Sequence, residues 1–141
     1  MIDVSLSAGV DVGSTWLDLG FHPFARPIRA RNSDSGVETI VAALRLRGVG
    51  KVALEAIGGY ARKLVAALIE ADLKVFVVNP RRIKAFRDAE GLNAKTDKLD
   101  AGLIARFAHA MAHELRPLPD AEHAILKAVD AKAAADRIHR H

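Results

Sequence analysis

The sequence predicts an α/β domain built on a mixed five-stranded sheet, and three observations support this prediction. Three short segments of strand character open the chain between residues 7 and 31, with turn residues between them. Two further apolar strands, Val52–Glu55 and Leu73–Val78, each follow a segment with helical spacing of its apolar residues. Hairpin-linked strands pair antiparallel, whereas strands joined through helices run parallel. We therefore expect three antiparallel strands, then alternating helix and parallel strand, with helices flanking the sheet.

The first three strands are predicted to form an antiparallel meander. Ser7–Gly13 has the short β-branched character of a strand. Thr15–Phe21 resembles a second strand that follows a tight turn at Gly13 and Ser14, and Ile28–Arg31 forms an irregular third strand. The first strand is thereby expected to lie inside the sheet.

Apolar residues three and four positions apart predict two helices between the later strands. Helix-start residues at Asn32–Ser35 open the first helix, which extends to Gly48, and the second helix covers Tyr60–Ala71. After the last strand, Asn79 is a good N-cap and Pro80 suits the first helical position, so a further helix begins there.

The segment Lys95–Met111 predicts a long helix with one buried face. Its apolar stripe consists of Leu103, Ile104, Phe107, Ala108 and Met111. Extending this stripe towards the N-terminus reaches Asp100 and then Asp97, so both carboxylates are expected to point inward. An inward carboxylate needs a cation or a hydrogen-bond partner. The plainer alternative is that Thr96 caps the helix and the acids favour its dipole.

Composition narrows the class of protein. The chain has 141 residues, half of them hydrophobic, which suits one globular domain. No apolar run is long enough to span a membrane, and the N-terminus lacks the pattern of a secretory signal. Cysteine is absent, which excludes disulfides and fits a reducing compartment. A net charge of +4 favours polyanionic partners only weakly.

Four acids form a predicted metal site. Asp11 lies inside a strand, where Asp is depleted, and Glu55 lies at the carboxyl end of a strand, where α/β sheets bind ligands. A fold that adjoins these strands and the last helix would gather Asp11, Glu55, Asp97 and Asp100. Clustered carboxylates raise one another's pKa unless divalent cations lie among them. Oxygen ligands suit Mg²⁺ or Mn²⁺, and two such ions roughly 4 Å apart promote phosphodiester cleavage. Each acid also has a simpler explanation when it is considered alone. Asp11 could make hydrogen bonds within a turn at the end of its strand, and Glu55 could be exposed to solvent at the end of its strand.

Candidate nucleic-acid contacts are Tyr60, Arg81, Arg82, Lys84 and Lys95. The basic residues after Pro80 share one helix with Arg87 and could contact phosphates, and Tyr60 could stack on a base. A solvated basic face and a packing Tyr are the alternatives. Trp16 is assigned to the core or to the sheet surface.

Several motifs together resemble one family. The segments GVDVG, LEAIGGYARKLVAAL, VVNPRRIKAF and AKTDKLDAGLIARFA are similar to the N-terminal domain of DEDD-type insertion-sequence transposases related to the Piv DNA invertase. The resemblance runs from about residue 9 to about residue 113. That domain looks like the RuvC Holliday-junction resolvase, so the resemblance implies a ribonuclease H-like fold. It also implies that Asp11, Glu55, Asp97 and Asp100 bind divalent metal for DNA strand exchange, with Asp11 and Asp100 as the main ligands.

The resemblance carries further expectations. Family members are described as oligomers that work with an element-encoded guide RNA, which implies DNA, a guide RNA and further copies of this chain as partners in the bacterial cytoplasm. We expect residues 1–116 to form the RuvC-like catalytic domain and residues 117–141 to begin a helical connector or coiled coil. The family's C-terminal domain with a catalytic serine is absent, so recombination by this chain alone is not expected.

Three other functions remain open at this point. The segment Asp11–Thr15 also resembles the first phosphate-binding hairpin of actin-like ATPases and sugar kinases, although 141 residues leave no room for two lobes. A standalone RuvC-like resolvase would fit the length better. A non-catalytic nucleic-acid-binding or oligomerisation domain could keep the acids without using them.

Overall fold

A computed structural model describes residues 6–23, 25–55, 59–91 and 100–111 of the chain. Its strands are β1 (Ser7–Val12), β2 (Trp16–His22), β3 (Ile28–Arg31), β4 (Lys51–Glu55) and β5 (Lys74–Val78). Its helices are α1 (Asp34–Leu46), α2 (Arg62–Glu70), α3 (Pro80–Ala89) and α4 (Ala101–Ala110), with a short 3₁₀ turn at Gly59–Ala61. This order of elements confirms the predicted α/β fold. The predicted helical segment at residues 117–141 lies outside the described residues.

The five strands form one mixed sheet in the order β3-β2-β1-β4-β5. The pairs β1–β2 and β2–β3 are antiparallel, and the pairs β1–β4 and β4–β5 are parallel. The predicted meander followed by parallel strands is therefore confirmed, and β1 is the central strand. The carboxyl ends of β1, β3, β4 and β5 meet at one edge of the sheet, together with the first residues of the antiparallel β2. We call this edge the carboxyl edge.

Alternation along the strands separates two apolar layers. On one face, Val10, Leu17 and Leu54 pack with α1 and α2 into the larger core. On the other face, Ala53 and Phe76 pack with the buried residues of α3 and α4. Since successive side chains of a strand point to opposite faces, Asp11 lies on the α4 side of the sheet, opposite Val10 and Val12 as predicted.

Helix α4 packs directly on the backbone of β1 and β2. A Cβ atom at Gly9 would lie 2.5 Å from the backbone nitrogen of Ala105, and a Cβ atom at Gly20 would lie 2.5 Å from the backbone nitrogen of Gly102. Only glycine permits such an approach. These two residues therefore set the position of α4, and with it the position of Asp100 at the start of that helix.

The structure corrects the prediction for Asp100. This residue is the N-cap of α4 and has extended backbone, and its Oδ1 accepts a hydrogen bond of 2.7 Å from the backbone N–H of Leu103. It is exposed, so its expected place on the inward helix face is wrong. The helical stripe cannot be extended through a residue that has left the helical conformation. Lys95, Thr96 and Asp97 lie outside the described residues.

Helix α3 begins where the sequence predicts. The Asn79 side chain accepts a hydrogen bond from the backbone N–H of Arg81, and Pro80 opens the helix. Arg87 lies on this helix, as predicted, but it is buried because it follows Ile83 by one helical turn on the core-facing side. It is therefore not part of an exposed basic face. None of the helices in the described ranges is long and apolar enough to cross a membrane.

Candidate functional site

Asp11 and Glu55 lie side by side at the carboxyl edge. Strands β1 and β4 are parallel, with Val10 paired to Leu54, so the next residue of each strand carries an acid. Both acids point to the α4 side, because Gly9 and Ala53 do so two residues earlier. Neighbouring strands are separated by roughly 4.8 Å. Two half-buried carboxylates therefore share one small region of the edge.

The two acids are close enough for the charge of one to affect the other. Burial raises the pKa of the Glu55 carboxyl above its usual value, and the negative charge of Asp11 raises it further. Both effects disfavour the ionised form of Glu55. A cation between the two carboxylates would reverse this preference, because it would stabilise both negative charges.

Asp18 is a third acid on the same face, and the sequence interpretation missed it. It lies directly opposite Asp11 in the β1–β2 register. Arg29 neutralises the charge of Asp18. The Nε of Arg29 donates a hydrogen bond of 2.8 Å to Asp18 Oδ1, and the Nη2 of Arg29 donates one of 3.3 Å to Asp18 Oδ2. Alternation along β2 and the turn at residues 13 and 14 were signals that could have revealed this acid.

Asn32 holds the loops behind the two acids together. Its side-chain amide donates hydrogen bonds to the backbone oxygens of Gly13, at 2.8 Å, and Tyr60, at 2.7 Å. Gly13 follows the acid-bearing end of β1, and Tyr60 lies in the segment after β4. Asn32 therefore links the two chain segments that position Asp11 and Glu55. The sequence interpretation gave it only a role in starting α1, where the N-cap is in fact Ser33.

Asp100 approaches the same face from α4. It lines a groove together with Asp18, Gly20 and Arg29, on the β2–β3 side of the sheet. Within the described ranges, no three His, Asp or Glu side chains lie close enough to hold a metal ion together. Of the four predicted metal ligands, the structure thus brings Asp11 and Glu55 together and puts Asp100 at the start of the helix across them. Asp97 is outside the described residues.

The donor set fits a hard divalent cation. Asp11 and Glu55 offer carboxylate oxygens alone, which are ligands that Mg²⁺ and Mn²⁺ prefer. Burial and the charge of Asp11 raise the pKa of Glu55, and a bound cation would offset both effects. One oxygen of Asp100 caps α4. A carboxylate has two oxygens, so capping does not prevent a second role for this residue.

The predicted nucleic-acid residues are exposed where the structure describes them. Tyr60, Arg81, Arg82 and Lys84 are all exposed, and Lys95 lies outside the described residues. Because Glu55 pairs with Val78 in the parallel β4–β5 ladder, α3 begins at the carboxyl edge. The guanidinium of Arg82 lies 5.7 Å from the ring centre of Phe107, which ties α3 to α4.

The sheet order, with acids on β1 and β4 at the carboxyl edge, defines the class of a ribonuclease H-like α/β domain. In agreement, the fold is similar to that of the T. thermophilus RuvC in complex with Holliday junction substrate, with a TM-score of 0.58 and 21% identity over 81% of this chain and 99% of that one. The family model for DEDD transposases of the IS110 type, described as transposase, matches residues 8–136. The chain therefore belongs to this transposase family.

Two relatives show how much of the chain is shared. The pilin gene-inverting protein of Moraxella lacunata is 44% identical over 54 residues, which is 38% of this chain and 17% of that protein. The candidate transposase of the IS117 mini-circle from Streptomyces coelicolor is 39% identical over 77 residues, or 53% of this chain and 19% of that protein. The matches span less than a fifth of the length of these curated relatives.

Proposed function

We propose that this chain is the metal-binding domain of a DNA transposase or site-specific recombinase, which acts on DNA phosphodiesters with Mg²⁺ or Mn²⁺. Membership of the transposase family supports the reaction class. The observation that carries the proposal is the pair of half-buried carboxylates, Asp11 and Glu55, on adjacent parallel strands with the pKa of Glu55 raised. A structural ion pair would lower that pKa instead.

In this proposal Asp11 and Asp100 are the main metal ligands, and Glu55 and Asp97 complete the site. When bound, the divalent cations stabilise the attacking and leaving oxygens at the phosphorus atom. Burial and the Asp11 charge raise the pKa of Glu55, and a cation in the site would favour its ionised form. Asn32 keeps the loops after β1 and β4 in register, which fixes the distance between Asp11 and Glu55.

The exposed basic residues at the start of α3 are proposed to bind DNA phosphates. Arg81, Arg82 and Lys84 lie beside the carboxyl edge and carry no sequence preference of their own. Tyr60 and Lys95 are proposed as further contacts. A guide RNA and a homo-oligomer are proposed as partners of the longer protein to which such a domain belongs, and the net charge of +4 is compatible with both nucleic acids.

The test is a calorimetric Mn²⁺ titration of the purified chain, with Asp11→Asn and Glu55→Gln as variants and Asp72→Asn as a control. Asp72 is an acid in the turn before β5, away from the carboxyl edge. We expect saturable binding that both site variants weaken at least tenfold and the control leaves unchanged. Binding that is indifferent to both site variants would refute the proposal.

Three further measurements on the same purified chain separate the remaining alternatives. A non-catalytic binding module would bind DNA or RNA equally well with and without metal, and the Asp11→Asn variant would bind as well as the parent does. A standalone RuvC-like resolvase would cleave a Holliday junction as the isolated chain. The actin-like ATPase alternative finds no support in the transposase family match and predicts stabilisation by ATP.

A further inference from the structure

An aromatic residue at the carboxyl edge is flanked by two guanidiniums. The Trp16 side chain is 38% exposed at the start of β2. The Cζ atom of Arg31 lies 4.9 Å from its ring centre, and that of Arg29 lies 5.2 Å away. Cross-strand pairing explains the contact, since Trp16 is opposite Arg31 and Asp18 is opposite Arg29 in the β2–β3 register. We call Trp16, Arg29 and Arg31 the β2–β3 platform.

The β2–β3 platform shares the face of the sheet that carries Asp11. Leu17 and Ala30 point into the core on the other side, so their neighbours along the strands point to the α4 side. Strand β3 is two strand spacings from β1, roughly 10 Å. The negative charge of Asp11 contributes to raising the pKa of Arg29, after the larger effect of Asp18. The platform and the acids therefore belong to one continuous surface.

The charges of the platform favour an anion. Arg29 is fixed by two hydrogen bonds to Asp18, so that pair is neutral and holds one guanidinium still. In the described part of the chain, no carboxylate lies within ion-pair distance of Arg31. Arg31 therefore offers an anion an exposed guanidinium, beside an aromatic ring that cation–π contacts hold in place.

We propose that the β2–β3 platform binds the single strand of DNA that leads to the acids, with a base stacked on Trp16 and a phosphate on Arg31. This inference rests on the proposed function for the choice of DNA. Single-stranded sites combine positive charge with an aromatic ring on which a base stacks. A duplex does not offer a free base face to an indole, so the exposed ring favours a single strand.

The chain contains one Trp, which makes Trp16 its own reporter. The experiment titrates the full chain, in EDTA, with oligo(dT) of about 12 nucleotides, a length suited to one such site. We expect quenching of the Trp16 emission and protection from acrylamide. The same length of duplex DNA and of oligo(U) are the comparison ligands.

Variants are followed by the anisotropy of a fluorescein-labelled oligo(dT). We expect Trp16→Ala to weaken binding about 5- to 150-fold and Trp16→Phe to weaken it less. Arg31→Gln should make the slope of log K against log salt less negative by about 0.7, the value for one phosphate contact of a single strand. The matched control is Arg47→Gln, since Arg47 also lies over a ring, 4.8 Å from that of Phe21, but at the end of α1 on the opposite face. It should bind as the parent does.

Several outcomes would overturn the inference. The first is that the chain does not bind oligo(dT). The second is that Trp16→Ala and Arg31→Gln both bind it as tightly as the parent does. The third is that oligo(U) or duplex DNA binds more tightly than oligo(dT). Acrylamide protection that grows with protein concentration alone would show that a second copy covers Trp16. Because EDTA is present, failure here leaves the metal site untouched. Conversely, an Asp11→Asn variant that still binds oligo(dT) but no longer binds Mn²⁺ would show that the two proposed sites work independently.

Discussion

Gly9→Ala tests whether the close packing of α4 on the sheet positions the site. The added Cβ atom would lie 2.5 Å from Ala105 N, 2.7 Å from Ala101 O and 2.8 Å from Ile104 Cβ, whereas ordinary contact begins at 3.4 Å. Two of these atoms belong to the helix backbone and cannot rotate away. Helix α4 must therefore move outward by about 0.5–0.9 Å, or the sheet must bend by as much.

This shift has a cost in stability and a cost at the site. Overpacking of this kind costs about 1–3 kcal/mol. The gap that opens elsewhere around the buried Ile104 and Phe107 adds to it, because a gap of roughly 1 Å removes up to half of a dispersion contact. A loss of about 2 kcal/mol would lower Tm by roughly 5–10 °C. If Asp100 is a metal ligand as proposed, a displacement of roughly 1 Å there would reduce the rate of the proposed reaction about 100-fold.

The assay is urea unfolding combined with hydrogen exchange of the folded chain. We expect lower stability, with faster exchange concentrated in peptides from α4 and little change in α1 and α2, which lie on the other face. The control is Gly102→Ala. Among the described residues its Cβ atom would meet Asp100 Oδ1 alone, at 3.4 Å, and Ala favours the helix by up to about 1 kcal/mol. If Gly9→Ala unfolds at the same urea concentration as the parent, α4 does not pack on β1 as described.

Three further predictions concern the polar groups. Glu55→Gln should stabilise the metal-free chain in urea unfolding above about pH 4.5 but not below it. Because the pKa of Glu55 is raised in the folded state, that state holds a proton that the unfolded state has already released, so the stability of the parent falls as pH rises through this window. An equal gain in stability at about pH 3.5 would contradict this prediction. Asn32→Ala should lose two hydrogen bonds, about 1–3 kcal/mol in urea unfolding, and weaken Mn²⁺ binding, whereas removing the exposed Thr39 hydroxyl should do neither. Asp100→Asn should keep the α4 cap and the stability of the chain, because Asn caps a helix as well as Asp does, whereas Asp100→Ala should lose about 1 kcal/mol of stability. Calorimetry should show that both variants weaken Mn²⁺ binding, since neither side chain carries a charge.

Much of the fold could be predicted because the information is local. Alternation places Val10 and Val12 opposite Asp11, and the Asn79–Pro80 pair starts α3 where the sequence suggests. The position of Asp100 could not be predicted in this way. A helical stripe assumes unbroken helix, and an acid that caps the helix keeps the spacing of the stripe while its backbone is extended. Spacing alone cannot distinguish these two conformations.

The contacts that organise the carboxyl edge lie far apart in sequence. Asn32 reaches backbone oxygens 19 and 28 residues away. The partners of Asp18 and Trp16 are settled only when β3 takes its register on β2. A one-residue slip in that register would turn Arg29 and Arg31 to the other face and leave Asp18 without its guanidinium. The neutralised Asp18 and the arginines beside Trp16 therefore depend on the same pairing, so a variant that disturbs β3 should alter both the charge near Asp11 and the proposed binding of single-stranded DNA.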